Sequence, residues 1–353
     1  MNNYDSSYIS ILNDVLTNGS RKNDRTGVGT YSLFGKQLRV NMQEGFPLLT
    51  TKKMHTKSIV HELLWFLKGG DNIKYLVDNG VNIWNEWPYK NYCSYDNEGD
   101  RLTMEEFITN IKNDDAFAKK WGGLGPVYGK QWVEWLDCLG DPINQVQNII
   151  NDLKINPDSR RMLVNAWNVA EVPAMVLPCC HYAWQVWTKE LMAWERKAWY
   201  NKHGAYGTGA MKFVALLLSL SEDVQQDKKE NESAHKFYDG EGVPRRAISL
   251  MFQIRSVDLG LGAPFDIASY GILLSMLAQC TNMVPEELIM SSGDTHIYTN
   301  HVAALQEQMK RQSFPLPKLR LNPDVKDIFA FTYDDIKFLD YESHPAVKMD
   351  VAV

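Results

Sequence analysis

The stretch Arg255-Ser-Val-Asp-Leu-Gly-Leu-Gly-Ala-Pro-Phe-Asp-Ile-Ala-Ser-Tyr270 runs into a segment, Pro264 to Thr281, whose apolar residues recur with helical period. Toward the C-terminus, His301 to Gln312 repeats that period before the proline-broken stretch Phe314 to Pro317. Toward the N-terminus, Met162-Leu-Val-Asn-Ala-Trp-Asn reads as a strand, preceded by a helical pattern from Ile143 to Ile155 and the turn Asn156-Pro157-Asp158. Lys57 to Lys68 reads as an amphipathic helix stopped by Gly69-Gly70. Gly27 to Gly35 and Lys36 to Met42 read as two strands, and Tyr4 to Leu16 as a helix ending near Asn18-Gly19. Helices and strands therefore mix along the whole chain, an α/β (α+β) pattern without internal repeats. We expect one domain over 1–353, with an insertion at about 189–246. There Trp194, Trp199 and Tyr200 lead through a glycine-rich turn and an apolar run to the charged SEDVQQDKKENE, which reads as an exposed loop: a solvated excursion, a lid or an oligomer contact.

The 353 residues are 44% hydrophobic and 23% charged, enough to bury a substantial core. With 37 Lys plus Arg against 43 Asp plus Glu the formal charge is -6, which argues against a broadly basic nucleic-acid surface but leaves room for an anionic small molecule held by a few arginines. Five cysteines at irregular spacing, Cys93, Cys138, Cys179, Cys180 and Cys280, form neither a disulfide framework nor a zinc pattern, and a reducing cytoplasm is the expected setting. The longest apolar run, around Phe213 to Leu218, is too short to span a bilayer.

Leu177-Pro-Cys-Cys-His181 sets two thiols and an imidazole beside a proline turn. Taken alone it is compatible with an activated nucleophile or with a buried structural cysteine. Its neighbours change the reading. Asn23-Asp-Arg-Thr-Gly-Val-Gly-Thr, His61-Glu-Leu-Leu-Trp-Phe-Leu-Lys-Gly, Ile83-Trp-Asn-Glu-Trp, Leu124-Gly-Pro-Val-Tyr-Gly, Pro157-Asp-Ser-Arg-Arg, the stretch quoted first, Gly293-Asp-Thr-His-Ile-Tyr and the terminal Lys348-Met-Asp-Val-Ala-Val occur in this order. Together they resemble the thymidylate synthase superfamily over nearly the whole chain, apart from the 189–246 region.

The resemblance implies a mixed β-sheet at a homodimer interface with surrounding helices, and a site for a pyrimidine deoxynucleoside monophosphate beside a reduced folate, 5,10-methylenetetrahydrofolate. Cys180 matches the nucleophile: thiolate addition at C6 makes C5 electron-rich enough to attack a one-carbon donor. Cys179 stands where the family usually has proline and reads as a bystander. Arg25, Arg160, Arg161 and Arg255 match phosphate ligands, the Arg160-Arg161 pair coming from the other subunit. Glu62, in an apolar helix that would raise its pKa, matches the general acid/base. Tyr128 and His181 match residues near the base, and Ser256, His296 and Tyr298 match phosphate and sugar contacts. Trp84, Trp87, Asp258 and the C-terminal Val353 match the folate side. No metal is implied, and neither a membrane nor a nucleic acid is an expected partner.

One departure redirects the substrate. Where thymidylate synthases carry Asn after Pro-Phe, this chain has Asp266, as phage deoxycytidylate hydroxymethylases do, and Ile254 replaces the usual Gln before Arg255. A carboxylate accepts from the cytosine N4 amino group and, when protonated, donates to N3. The expected substrate is therefore dCMP rather than dUMP. Water capture of the transferred methylene would give 5-hydroxymethyl-dCMP, and hydride transfer 5-methyl-dCMP. Trp84 and the Val351-Ala-Val353 tail resemble the synthases and favour methylation, whereas Asn85 and Gly123 replace usual aspartates. With Asp266 and Ile254 counted, hydroxymethylation is the expected outcome. Ordinary dTMP synthesis and a catalytically inactive RNA-binding homologue are the rivals.

Overall fold

A computed structural model describes residues 2–24, 26–95, 101–203 and 231–351. Arg25, Val353 and the charged stretch up to residue 230 lie outside the described residues. The strands are β1 (Ser20–Lys22), β2 (Thr30–Asn41), β3 (Trp135–Leu136), β4 (Pro142–Ile143), β5 (Leu163–Asn165), β6 (His181–Glu190), β7 (Arg246–Asp258), β8 (Met283–Tyr298), β9 (Lys318–Leu321) and β10 (Ile336–Leu339). The helices are α1 (Asn3–Asn18), α2 (Thr56–Leu67), α3 (Lys74–Asp78), α4 (Glu86–Tyr95), α5 (Met104–Asn113), α6 (Asp115–Trp121), α7 (Tyr128–Glu134), α8 (Gln145–Ile155), α9 (Ala193–His203), α10 (Glu232–Gly240), α11 (Gly262–Cys280) and α12 (Val302–Met309).

Six strands form one sheet in the order β1-β2-β8-β7-β6-β5. The central pair β7 and β8 is parallel and its neighbours are antiparallel, so the sheet is mixed. Parallel neighbours need a long crossover, and α11 supplies it. That helix is hydrophobic nearly all round, with fourteen residues buried from Ala263 to Cys280, and packs on both strands it connects as well as on α2.

The segment expected as an amphipathic helix is α2, but its burial runs round the cylinder: Ser58 to His61 and Leu63 to Leu67 are all buried. Wedged among α7, α11 and the terminal segments, it has no solvent face to keep polar. The two strands expected over 27–42 are one continuous strand, β2. Gly35, at φ 79°, sits in register opposite Gly293 and lets the strand bend without ending. A side chain at Gly293 would meet the Arg255 carbonyl at 2.7 Å, so this glycine permits the close approach of β7 and β8 beside the site.

Asp5 of α1 is fully buried and accepts hydrogen bonds from the hydroxyls of Thr50 (2.7 Å) and Thr51 (2.9 Å), clamping the first helix to the chain that feeds α2. In the region expected as an insertion, α9 packs on α10 around the buried Arg196. Its guanidinium donates to the carbonyls of His235 and Val243 and to Asp239 (2.7 Å). Among the described residues, no helix is long and apolar enough to cross a membrane.

Candidate active site

The site forms where β6 begins, at the end of the central strands, against α2, α7 and the first turns of α11. Register between β6 and β7 slips at His181/Ala183. Such a bulge re-aims the chain, and it falls immediately after Cys180. The Cys180 N–H donates to Tyr128 Oη (2.8 Å), its carbonyl accepts from the Arg255 N–H (2.8 Å), and Arg255 Nη2 stands 3.8 Å from Cys180 Sγ. Burial raises the Cys180 thiol pKa, and the Arg255 guanidinium opposes that rise. Exposed Arg255 also grips the approach to Cys180 by donating to the carbonyls of Cys179 (2.9 Å) and Pro178 (2.7 Å).

Cys179 is more than a bystander in the packing. It is fully buried, its Sγ accepts from the Tyr128 N–H (3.3 Å), and burial pushes its thiol up to about 12. It is thus a poor nucleophile and a fixed prop for Tyr128. Tyr128 opens α7 at φ 22°, a sparsely populated conformation, and stacks on His181 at 4.2 Å.

Glu62 projects from α2, and Trp84 Nε1 donates to its Oε1 (2.7 Å). Desolvation pushes the carboxyl up to about 7, against the lowering effect of that hydrogen bond. A carboxyl balanced near neutrality can both take and give a proton. Trp84, expected on the folate side, is therefore also an anchor of the Glu62 carboxyl.

Asp266, on α11, lies 3.8 Å through Oδ1 from His181 Nε2. Burial, reinforced by Glu62 and Asp258, holds its carboxyl well above the usual carboxylate range, which favours the protonated form. Burial brings His181 down to about 3, leaving a neutral imidazole whose Nδ1 meets Tyr270 Oη at 2.9 Å.

On the expected folate side, Asp258 accepts from the N–H groups of Gly260 (2.7 Å) and Leu261 (3.2 Å), and Trp87 is half-buried. Sequence reasoning missed two residues here. Lys52, buried and brought down to about 8 by desolvation, donates to the Gly260 carbonyl. His301 contacts the Asp350 carbonyl through Nε2 (2.7 Å) and holds the C-terminal segment against this side. Ser256 is half-buried, and His296 meets Asp294 at 3.2 Å and packs edge-on against Tyr298.

Arg160 and Arg161 are exposed and are not brought to Cys180. Leu163 pairs with Gln185 and Asn165 with Ala183, which sets Arg161 level with Trp187. At about 3.3 Å per residue that is about 20 Å along β6 from His181. Among the described residues there is no cluster of His, Cys, Asp and Glu able to hold a metal ion.

The sequence profile of the family described as "Thymidylate synthase" matches residues 6–201 and 232–353. The thymidylate synthase of Mycoplasma mobile is 44% identical over 347 residues, covering 98% of this chain and 99% of that one. Those of Mesoplasma florum and Phytoplasma mali are each 40% identical over 346 residues, covering 98% of this chain and 99% of theirs. With a mixed sheet, a bulge immediately after Cys180 and a carboxyl tuned near neutrality beneath these matches, the chain belongs to the thymidylate synthase family.

Proposed function

We propose that this enzyme of the thymidylate synthase family transfers a one-carbon unit from 5,10-methylenetetrahydrofolate to C5 of dCMP. The feature that carries the base assignment is Asp266, largely buried beside His181, with a carboxyl raised well above the usual carboxylate range. Cytosine has an amino group where uracil has its O4 carbonyl, so its ring is the poorer electron sink when a thiolate adds at C6. A proton delivered to N3 corrects this. A neutral carboxyl can give that proton while accepting from N4, whereas an asparagine amide has no proton to transfer.

The remaining residues take roles that follow from their surroundings. Cys180, activated by Arg255, adds to C6. Glu62, with a pKa of about 7, exchanges the proton at C5 and is held in place by Trp84. The half-buried Trp87 and the Asp258 carboxylate offer a flat apolar face and an acceptor, a donor set suited to a pterin. Arg255, Ser256, His296 and Tyr298 would hold phosphate and sugar, with Arg25 completing the set. Arg160 and Arg161, about 20 Å from their own Cys180, would serve the site of a second copy, which makes the working form a homodimer.

The product depends on water access. Trp84 hydrogen-bonded to Glu62, the tail segment held by His301 and relatives bearing the name thymidylate synthase all support hydride transfer, giving 5-methyl-dCMP and dihydrofolate. This replaces the hydroxymethyl product expected from the sequence. Water capture to 5-hydroxymethyl-dCMP is the second reading, favoured by Asn85: its side-chain oxygen is buried next to Trp84 in sequence, without a hydrogen-bond partner among the described residues, and could hold a water.

The test is mass spectrometry of products from equal dCMP and dUMP with methylenetetrahydrofolate, for wild type and Asp266→Asn, following dihydrofolate in parallel. Methyl-dCMP with dihydrofolate from the wild type, and a swing toward dUMP of about tenfold or more in the variant, are the expected results. Hydroxymethyl-dCMP without dihydrofolate would reverse the water argument alone. Wild-type turnover chiefly to dTMP would overturn the base assignment.

A further inference from the structure

We propose that Tyr270 sets the base preference of this site by fixing the tautomer of His181, which in turn decides which oxygen of Asp266 accepts and which donates. The inference rests on the reading that Asp266 meets the base edge. Asp266 and Tyr270 are four residues apart on α11, hence on one helix face, and His181 bridges them: Nδ1 to Tyr270 Oη at 2.9 Å, Nε2 to Asp266 Oδ1 at 3.8 Å. The tyrosine ring is locked, stacked on Phe252 at 4.2 Å and edge-on to His181 at 5.4 Å.

Tyr270 is buried, and His181 Nδ1 is the one hydrogen-bond partner of its hydroxyl among the described residues. If the hydroxyl donates to Nδ1, the imidazole proton sits on Nε2 and both donors are placed. If Nδ1 carried the proton, the tyrosine O–H would be left buried and unmatched, at a cost of about 1–3 kcal/mol. The imidazole is neutral, so one tautomer must be chosen, and the hydroxyl chooses Nε2–H. At 3.8 Å the N–H does not yet bond Oδ1, but its dipole favours Oδ1 as the acceptor oxygen and leaves the carboxyl proton on Oδ2. Contacts of this kind shorten when substrate fills the site.

The consequence is a directional edge. Cytosine presents an acceptor at N3 and a donor at N4, and uracil presents the reverse at N3 and O4. A neutral carboxyl free to exchange its donor and acceptor oxygens would suit either base; one whose oxygens are assigned suits one of them. Tyr270 is thus a positioning residue that acts through His181.

Tyr270→Phe tests this. The kcat/KM ratio for dCMP over dUMP is expected to fall about tenfold or more, with KM for the folate unchanged. In 15N spectra of histidine-labelled protein, His181 is expected as the Nε2–H tautomer in the wild type and as a mixture of tautomers in the variant. An unchanged substrate ratio in a folded variant would overturn the proposal. So would an Nδ1–H tautomer in the wild type, which needs no variant to fold. If the wild type itself prefers dUMP, the base assignment fails, while the wild-type tautomer and any change of ratio in Tyr270→Phe still judge Tyr270 separately.

Discussion

Replacing Glu62 by Gln should abolish turnover while stabilising the protein at alkaline pH. Burial raises this carboxyl from its usual 4.5 to about 7. Below about pH 4.5 the group is protonated in folded and unfolded chains alike and contributes no pH dependence. Between there and pH 7 the unfolded chain ionises first, so stability falls as pH rises, and above pH 7 the loss is complete. At about 1.4 kcal/mol per tenfold difference in proton affinity, the folded state loses about 3 kcal/mol from this one residue between pH 4.5 and 8. Glutamine does not titrate and keeps an oxygen for Trp84 Nε1 to donate to, so the variant should retain the geometry without the loss. Urea unfolding at pH 5, 6, 7 and 8 measures it: the two proteins should diverge progressively, with Glu62→Gln more stable by about 2–3 kcal/mol at pH 8. C5 proton exchange should fall about 100- to 10,000-fold. Parallel stability curves for the two proteins would refute the claim that this carboxyl is held proton-bearing by burial, and with it the physical basis for its role in proton transfer.

Two further outcomes follow from the geometry around Cys180. Cys180→Ser should abolish product formation, whereas Cys179→Ser should keep most activity, because a hydroxyl can still accept from the Tyr128 N–H; activity assays of the purified variants decide this, and an active Cys180→Ser enzyme would remove the nucleophile. Cys180→Ser and Arg161→Ala, each inactive alone, should recover about a quarter of wild-type activity when co-refolded in equal amounts. A random dimer of the two carries one intact site in half of the molecules. No recovery would mean that Arg161 does not act across a subunit boundary.

The local elements were legible where one period dominated. The helix over Tyr4 to Leu16 is α1, extended by one to two residues at each end, and the pattern from Pro264 is α11. The longest strands, β7 and β8, were not legible as strands. They lie in the middle of the sheet, where partners on both edges and packing on α11 hold stretches of mixed polarity such as Ser291-Ser-Gly-Asp-Thr295 extended. The same tertiary override removed the amphipathic character expected of α2. A helix enclosed by its neighbours can bury polar residues such as Ser58 and His61 among its apolar ones, and in one dimension these positions and Glu62 look like the polar stripe of a surface helix.

The site was legible as a set of residues and illegible as a circuit. Resemblance selected Glu62, Trp84, Tyr128, Cys180, His181, Arg255, Asp258 and Asp266, and all of these lie around the start of β6 or along the flank that runs to the C-terminal segment. Their titration could not be read from sequence, because it follows from burial that only the fold creates, with contacts from elsewhere in the chain. Glu62 accepts from Trp84, Cys180 stands beside Arg255, and His181 Nδ1 meets Tyr270, eighty-nine residues away. Tyr270 stood at the end of the stretch that decided the fold, yet nothing in its spacing distinguished a buried core tyrosine from one that steers an imidazole. The distinction needs the 2.9 Å contact to Nδ1 and the Phe252 ring stacked behind it. The substitution that redirects the substrate, Asp for Asn at 266, therefore takes its meaning from its surroundings. In an exposed loop it would add a charge. Here burial raises its carboxyl well above the usual carboxylate range and favours the protonated form, and it is this acid, which an amide cannot supply, that the proposed cytosine substrate would draw on.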